Sequence, residues 1–258
     1  MALLSTSGNP KLEKSDNKQL GYLTAGLNLA AADTSGYEVC PSRSEGCSNV
    51  CLLYQGRGQM KSVMNARIKK TINFFEDRLP FKEQLYAEVA AFRRKAQRKG
   101  LTPVIRLNVM SDISWERQIP ALFSDFPDIQ YYDYTKQEHR MDAFLAGSKH
   151  WPANYSLCFS RSEKNEDYCR TVLQRGGTIN VVFRDWFPLS FLGYPVIDGD
   201  EDDLTFLTPS HTVRAVVAKG TALHDTTGFV VDATNKHMQS SWTKNKVPFI
   251  PKAEANVI

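Results

Sequence analysis

Residues 103–136 read PVIRLNVMSDISWERQIPALFSDFPDIQYYDYTK. The apolar run Val104 to Val109 has the length and branching of a buried strand, and Ile129 to Tyr132 is a second. Between them, Asp112 or Ser114 can accept the first orphan N–H groups of a helix running through Phe123. Two strands joined by a helix lie parallel, because the helix returns the chain to the end where the first strand began.

The same unit recurs outward. Thr24 to Leu29 precedes it as a strand, and Tyr155 to Phe159, Ile179 to Phe183 and Val213 to Ala218 follow, with Ser162 capping a helix that ends before Gly176-Gly177. Upstream, Met60, Val63, Met64, Ile68, Ile72 and Phe75 recur at helical spacing. Phe81, Leu85, Val89, Phe92 and Ala96 do so again, with Gly100 just beyond. These units predict a single α/β domain, either a curled parallel sheet or a partial (β/α) barrel. Residues 1–20 are expected as a polar N-terminal arm, 21–231 as the core and 232–258 as a polar C-terminal tail.

A chain of 258 residues, 42% hydrophobic and 23% charged, is neither disordered nor collagenous nor a coiled coil. No run approaches the roughly 18–20 apolar residues of a membrane helix, and the start lacks a secretion signal. The expectation is a soluble cytoplasmic protein with no membrane partner. Thirty-two Lys and Arg against 28 Asp and Glu leave +4, which permits contact with nucleic acid without requiring it.

Five cysteines are too few for a disulfide scaffold, and an odd count leaves one thiol over. Cys40, Cys47 and Cys51 fall within twelve residues in the loop after the first strand. Three thiolates can hold three irons of a [4Fe–4S] cluster and leave the fourth open. With a further ligand the same three can close a zinc site, or they can be unligated thiols. Cys158 and Cys169 sit among apolar neighbours and read as buried free thiols. The five histidines show no metal-binding spacing.

Ligands of parallel α/β folds bind beyond the carboxyl ends of the strands. The residues expected there are polar: Asn108, Ser111 and Asp112; Asp133, Tyr134, Thr135 and Lys136; Ser160, Arg161 and Ser162; Arg184 and Asp185; Lys219 and Gly220. Asn108, Ser111, Asp112, Tyr134 and Ser160 are candidate cosubstrate-binding groups, although Asp112 serves equally as a helix cap. Lys136 and Lys219 are candidate catalytic groups that bind an anion or polarise a leaving group, against the plain alternative of solvated lysines. Asp198, Asp200, Asp202 and Asp203 read first as a solvated turn and second as a Mg²⁺ or Mn²⁺ site. The basic run Arg93 to Lys99 suits a helix C-terminus better than a nucleic-acid patch.

With these residues in place, the chain resembles the phage family named for gene product 88. More loosely, it resembles phage three-cysteine-motif proteins that are similar to radical S-adenosylmethionine enzymes. The resemblance is carried by Gly8-Asn9-Pro10-Lys11, Cys40-Pro41 with Cys47 and Cys51, and Arg106-Leu107-Asn108 with Ser111-Asp112. It continues through Tyr132 to Lys136, Asn154-Tyr155-Ser156, Val196 to Asp200 and Ala218-Lys219-Gly220. It implies a partial barrel, a [4Fe–4S] cluster after the first strand and S-adenosylmethionine as cosubstrate. The main radical group spaces its cysteines Cys-x₃-Cys-x₂-Cys, whereas here six and three residues intervene.

The expectation is therefore an iron–sulfur, radical S-adenosylmethionine-like enzyme that modifies nucleic acid or a nucleotide-derived substrate and is served by an external electron donor. Its rivals are a non-catalytic metal-stabilised module that binds nucleic acid or a host protein, and a metal-dependent nuclease or hydrolase built on the acidic loop.

Overall fold

In the computed structural model of the protein, residues 1–6, 20–54, 58, 60–147, 149 and 151–241 are described. The motif Gly8-Asn9-Pro10-Lys11, His150, most of the expected arm and the tail beyond residue 241 lie outside them. The parallel pair predicted from residues 103–136 is present: β3 (Thr102–Arg106) pairs with β4 (Gln130–Thr135), Ile105 opposite Tyr131. On one side β3 pairs in parallel with β2 (Tyr22–Leu27). On the other, β4 leads to β5 (Tyr155–Ser160), β6 (Thr178–Phe183) and β10 (Thr212–Val217), all parallel.

β1 (Leu4–Ser5) closes one edge antiparallel to β2. At the other edge, β9 (Tyr194–Asp198) lies parallel to β10 and carries β8 (Ser190–Phe191) antiparallel. β11 (Val230–Val231) adds to β6, and β7 (Trp186–Phe187) pairs apart from the sheet with β12 (Met238–Gln239). The helices are α1 (Glu45–Asn49), α2 (Lys61–Glu76), α3 (Arg78–Arg98), α4 (Trp115–Gln118), α5 (Ala121–Asp125), α6 (Glu138–Leu145) and α7 (Glu166–Gln174).

Period-two alternation divides every strand between two faces. Ile105, Tyr131, Leu157, Phe159, Ile179, Val181, Val213 and Ala215 pack against Leu85, Val89 and Phe92 of α3, Met141 of α6, and Val172 and Leu173 of α7. The opposite face carries Val104 and Tyr132, covered by Leu204 with Tyr22 and Phe206 at its margin. Leu204 follows β9 at the far edge, yet it reaches β3 and β4 near the other. The sheet is therefore curled, and the chain after β9 fills the hollow. No helix among the described residues is long and apolar enough to cross a membrane.

Several expected boundaries move. The helix expected through Phe123 breaks into α4 and α5 because Pro120 has no N–H to continue it. Ser114 precedes α4 without a side-chain capping bond, and Asp112 is not a cap at all. Ser162 does not cap α7; Asn165 occupies that position, and its side-chain oxygen instead accepts the Ser162 N–H at 2.7 Å. Thr24 to Leu29 and Val104 to Val109 shift upstream into β2 and β3, leaving Leu29, Leu107 and Val109 in buried loops.

Of the apolar stripe expected for α2, Met60 precedes the helix and is exposed, Val63, Met64, Ile68, Ile72 and Phe75 are half-buried, and the inward line is Lys70, Thr71 and Phe74. Lys70 Nζ donates to the Leu3 carbonyl at 3.0 Å and Thr71 Oγ1 accepts from Ala30 N at 2.8 Å, so polar contacts set the rotation of this helix. The start of the expected arm is a sheet edge with Leu3 buried, and the start of the expected tail is β12. The basic run closes α3 before Gly100, whose φ of +64° suits glycine.

Candidate functional site

The chain leaves β2 into the loop that carries the three clustered thiols. Cys40 accepts from the Ala32 N–H at 3.4 Å and lies 3.6 Å from the Met110 carbonyl. Ser44 then caps α1, its hydroxyl accepting the Cys47 N–H at 3.1 Å. Cys51 follows one residue after the helix's C-cap, Val50.

This short helix is held from outside. The Glu163 carboxylate, in the loop after β5, accepts from Gly46 N at 2.9 Å and from Ser44 Oγ at 2.8 Å. Burial works against its charge, but these donors hold the carboxyl below the usual range. Gly46 is required by packing: a Cβ there would meet Thr227 Oγ1, Phe229 Cβ at 2.6 Å and Glu163 Oε2 at 2.8 Å.

Beside the loop, at the carboxyl ends of the parallel strands, lies a cavity of about 270 Å³. Cys40, Cys47, Cys51, Asn108, Ser111, Asp112, Tyr134, Lys136, Ser160 and Lys219 all line it, whereas the strand-end residues Asp133, Arg161, Ser162, Arg184, Asp185 and Gly220 and the carboxylates Asp198, Asp200, Asp202 and Asp203 do not. Val182, Val216 and Phe229 give it apolar walls, and Arg43 and Arg106 add charge. The strand-end pattern made this convergence legible before any contact was known.

The ten residues do not all offer free functional groups. The Asn108 side-chain oxygen accepts from Ser111 Oγ at 2.8 Å, Ile113 N at 2.9 Å and Trp115 Nε1 at 3.0 Å. Its amide donates to Asp133 and to the Ile113 carbonyl. Asp112 accepts from Thr135 Oγ1 at 2.8 Å, Lys136 N at 2.9 Å and Arg140 Nη1 at 2.8 Å. Both therefore shape the cavity by fixing loops. The Tyr134 hydroxyl donates to Asp203 at 3.1 Å, while its ring faces the Arg106 guanidinium at 4.6 Å.

Lys136 is half-buried beside Cys47, with Nζ 5.6 Å from the centre of the Phe229 ring. Burial opposes its charge, but Cys47, Asp112 and Cys40 outweigh that and hold it above the ordinary lysine range. Burial pushes the Cys40 thiol up to about 12 and raises Cys51 as well. Lys219 donates to Asp200 Oδ1 at 2.6 Å and is no solvated lysine.

The acidic loop is a correction. Expected first as a solvated turn, it turns inward. Asp203 is fully buried and accepts from Arg106 Nη1 at 2.7 Å, Tyr132 at 2.9 Å and Tyr134. Asp200 accepts from Val217 N, Lys219 and Ser240, and Asp202 pairs with Arg214 at 3.3 Å. These carboxylates neutralise cations and bond N–H groups inside the hollow, and each meets different partners rather than one shared ion position. Asp133 was expected at a strand end, whereas Arg140, Tyr155, Glu163 and Asn180 were not singled out from sequence. Only Asn180 carried a local signal, a carboxamide within the apolar run Ile-Asn-Val-Val-Phe.

Among the described residues no three His, Cys, Asp or Glu side chains are grouped to hold one metal ion. The chemistry of a donor set of three thiolates suits an iron–sulfur group and zinc alike. Three thiols line one cavity, and the two remaining cysteines, Cys158 and Cys169, are buried outside it. No curated protein and no solved structure matches the chain. The family model described as Gene product 88 matches residues 2–233, nearly the whole length, and the chain belongs to that family.

Proposed function

We propose that the protein is an iron–sulfur enzyme of radical S-adenosylmethionine-like character, related to the phage three-cysteine-motif proteins, that modifies nucleic acid or a nucleotide-derived substrate in the host cytoplasm. One observation carries this reading: Cys40, Cys47 and Cys51 share a single cavity with the polar strand-end residues, and no further cysteine lines it. A [4Fe–4S] group held by three thiolates would supply an iron with an open coordination position.

The chain's own residues then have separable tasks. Lys136, beside Cys47 and Cys40, supplies a positive charge close to three thiolates that would otherwise repel one another in a buried place. Ser160 presents its hydroxyl to a cosubstrate, and Ser111, whose proton goes to Asn108, offers only an acceptor. Asn108 and Asp112 hold the floor rigid through the bonds to Asp133 and Arg140. Val182, Val216 and Phe229 exclude water from the inner wall. Electrons must come from an external donor, since the two remaining cysteines, Cys158 and Cys169, are too few to ligate a second cluster.

The test is anaerobic purification followed by metal quantification and electron paramagnetic resonance of the dithionite-reduced protein. The reading expects about four irons per chain, lost in Cys40→Ser, Cys47→Ser or Cys51→Ser, and a spectrum that shifts when S-adenosylmethionine is added. Zinc in place of iron, or iron that survives all three substitutions, would overturn it.

A further inference from the structure

A polar side chain within an apolar strand is costly unless something bonds it. In β6, Ile179, Val181 and Phe183 join the helix-covered core, while Asn180 and Val182 alternate to the other face and line the cavity. The Asn180 carboxamide oxygen is buried and has no hydrogen-bond partner among the described residues. Opposite Asn180 in β5 is Ser160, and opposite Val182 in β10 is Val216; all four line the cavity. The patch thus sets an apolar shelf of two branched side chains beside a hydrogen-bonding edge.

The unmet group is an acceptor, so it calls for an N–H or O–H and disfavours a phosphate or carboxylate at the same point. A carboxamide presents acceptor and donor side by side, which matches a ring edge with an amino group next to a ring nitrogen, as on adenine and cytosine. A flat ring also suits the aliphatic shelf better than a hydroxyl-covered sugar does. We infer that this inner wall is a nucleobase subsite, in which Asn180 reads the amino-bearing edge of adenine or cytosine and Val182 and Val216 support the ring face. This deepens the function proposed above by naming the group recognised, and it rests on that reading only for the reaction that follows binding. The base can belong to the cosubstrate or to the substrate.

Calorimetric titration of the anaerobically purified full chain tests it. The probes are adenosine, cytidine, their analogues lacking the amino group, and S-adenosylhomocysteine. At least one of the two nucleosides should bind about tenfold or more tighter than its desamino analogue, the loss expected for one buried hydrogen bond. Asn180→Leu should erase that preference. The comparison of analogues on the unaltered protein stands even if the variant folds poorly. Displacement of the bound nucleoside by S-adenosylhomocysteine assigns the subsite to the cosubstrate; simultaneous binding assigns it to the substrate. Equal affinity with and without the amino group, a preference that survives Asn180→Leu, or no binding of either nucleoside would overturn the inference. Iron is measured on the same samples. Iron-bearing protein that ignores the amino group sinks the subsite alone, and iron-free protein that reads it sinks the cluster alone.

Discussion

The helix-covered face of the sheet and the hollow behind it are held by different forces. On the outer side Leu85, Val89, Val172 and Leu173 bury against Ile105, Tyr131, Leu157 and Val181, and stability comes from area removed from water, about 1.5–3 kcal/mol per large side chain. In the hollow, Asp203 meets Arg106, Tyr132 and Tyr134, and Arg214 meets Asp202 and Thr208. Apolar burial is non-directional and tolerates repacking, whereas a buried ion pair demands its own partner. The cavity opens where this directional side reaches the carboxyl ends of the strands, so the groups around it are fixed in orientation before any ligand arrives.

The largest effect that can break this contrast is at Asp203. Asp203→Ala leaves Arg106 buried without its carboxylate and is expected to cost about 3–5 kcal/mol, measured by denaturant unfolding. Asp203→Leu combined with Arg106→Met should recover a large part of that loss, because both charges then leave together. On the outer face, Leu173→Ala is expected to cost about 2–5 kcal/mol and to add independently to distant core changes. If the Asp203 and Arg106 substitutions also add independently, the hollow is not held by directional pairing.

Asp133 sharpens the contrast, since it is a carboxylate placed on the helix side of β4. It accepts from Asn108 N at 2.6 Å and from the Tyr155 hydroxyl at 2.6 Å. Burial, the dominant influence, raises it to about 7 in spite of these donors. Between about pH 4 and pH 7 the folded protein therefore keeps a proton that the unfolded chain has lost. The stabilising contribution is complete below about pH 4 and fades as pH rises through about 7. Asp133→Asn should flatten that dependence in unfolding experiments run across the range; an unchanged slope would assign it to other groups.

The smallest expected effect concerns the thiol loop, which packing alone does not hold. Glu163→Gln weakens the charge-assisted bonds to Gly46 and Ser44 and should lower global stability by about 1 kcal/mol or less. Alkylation of Cys47 should nevertheless become faster, because the carboxylate anchors the helix that carries it. Unchanged alkylation would mean that Thr227 and Phe229, packed against Gly46, hold the helix unaided.

The same contrast separates what could be read in the sequence from what could not. The α3 residues Phe81, Leu85, Val89, Phe92 and Ala96 are all buried, as their spacing predicts, because burial repeats with the period of the element. The cavity lining was legible because polar residues cluster just after apolar runs. Short strands such as β8 and β11 leave no periodic trace over two residues. The partners of Asp203 lie 97, 71 and 69 positions away, and nothing local tells such a carboxylate from a solvated one. The inward line of α2 was missed for a related reason: Lys70 and Thr71 are polar and find their partners in Leu3 and Ala30, far along the chain.

The central claim is that the three clustered thiols hold an iron–sulfur group facing the strand-end cavity. An anomalous difference map at the iron edge, from crystals of anaerobically purified protein, addresses it most directly. The account predicts one dominant iron peak between Cys40, Cys47 and Cys51, bordering the wall formed by Lys136, Ser160 and Asn180. A peak at the zinc edge instead, or iron located anywhere else in the molecule, would contradict it.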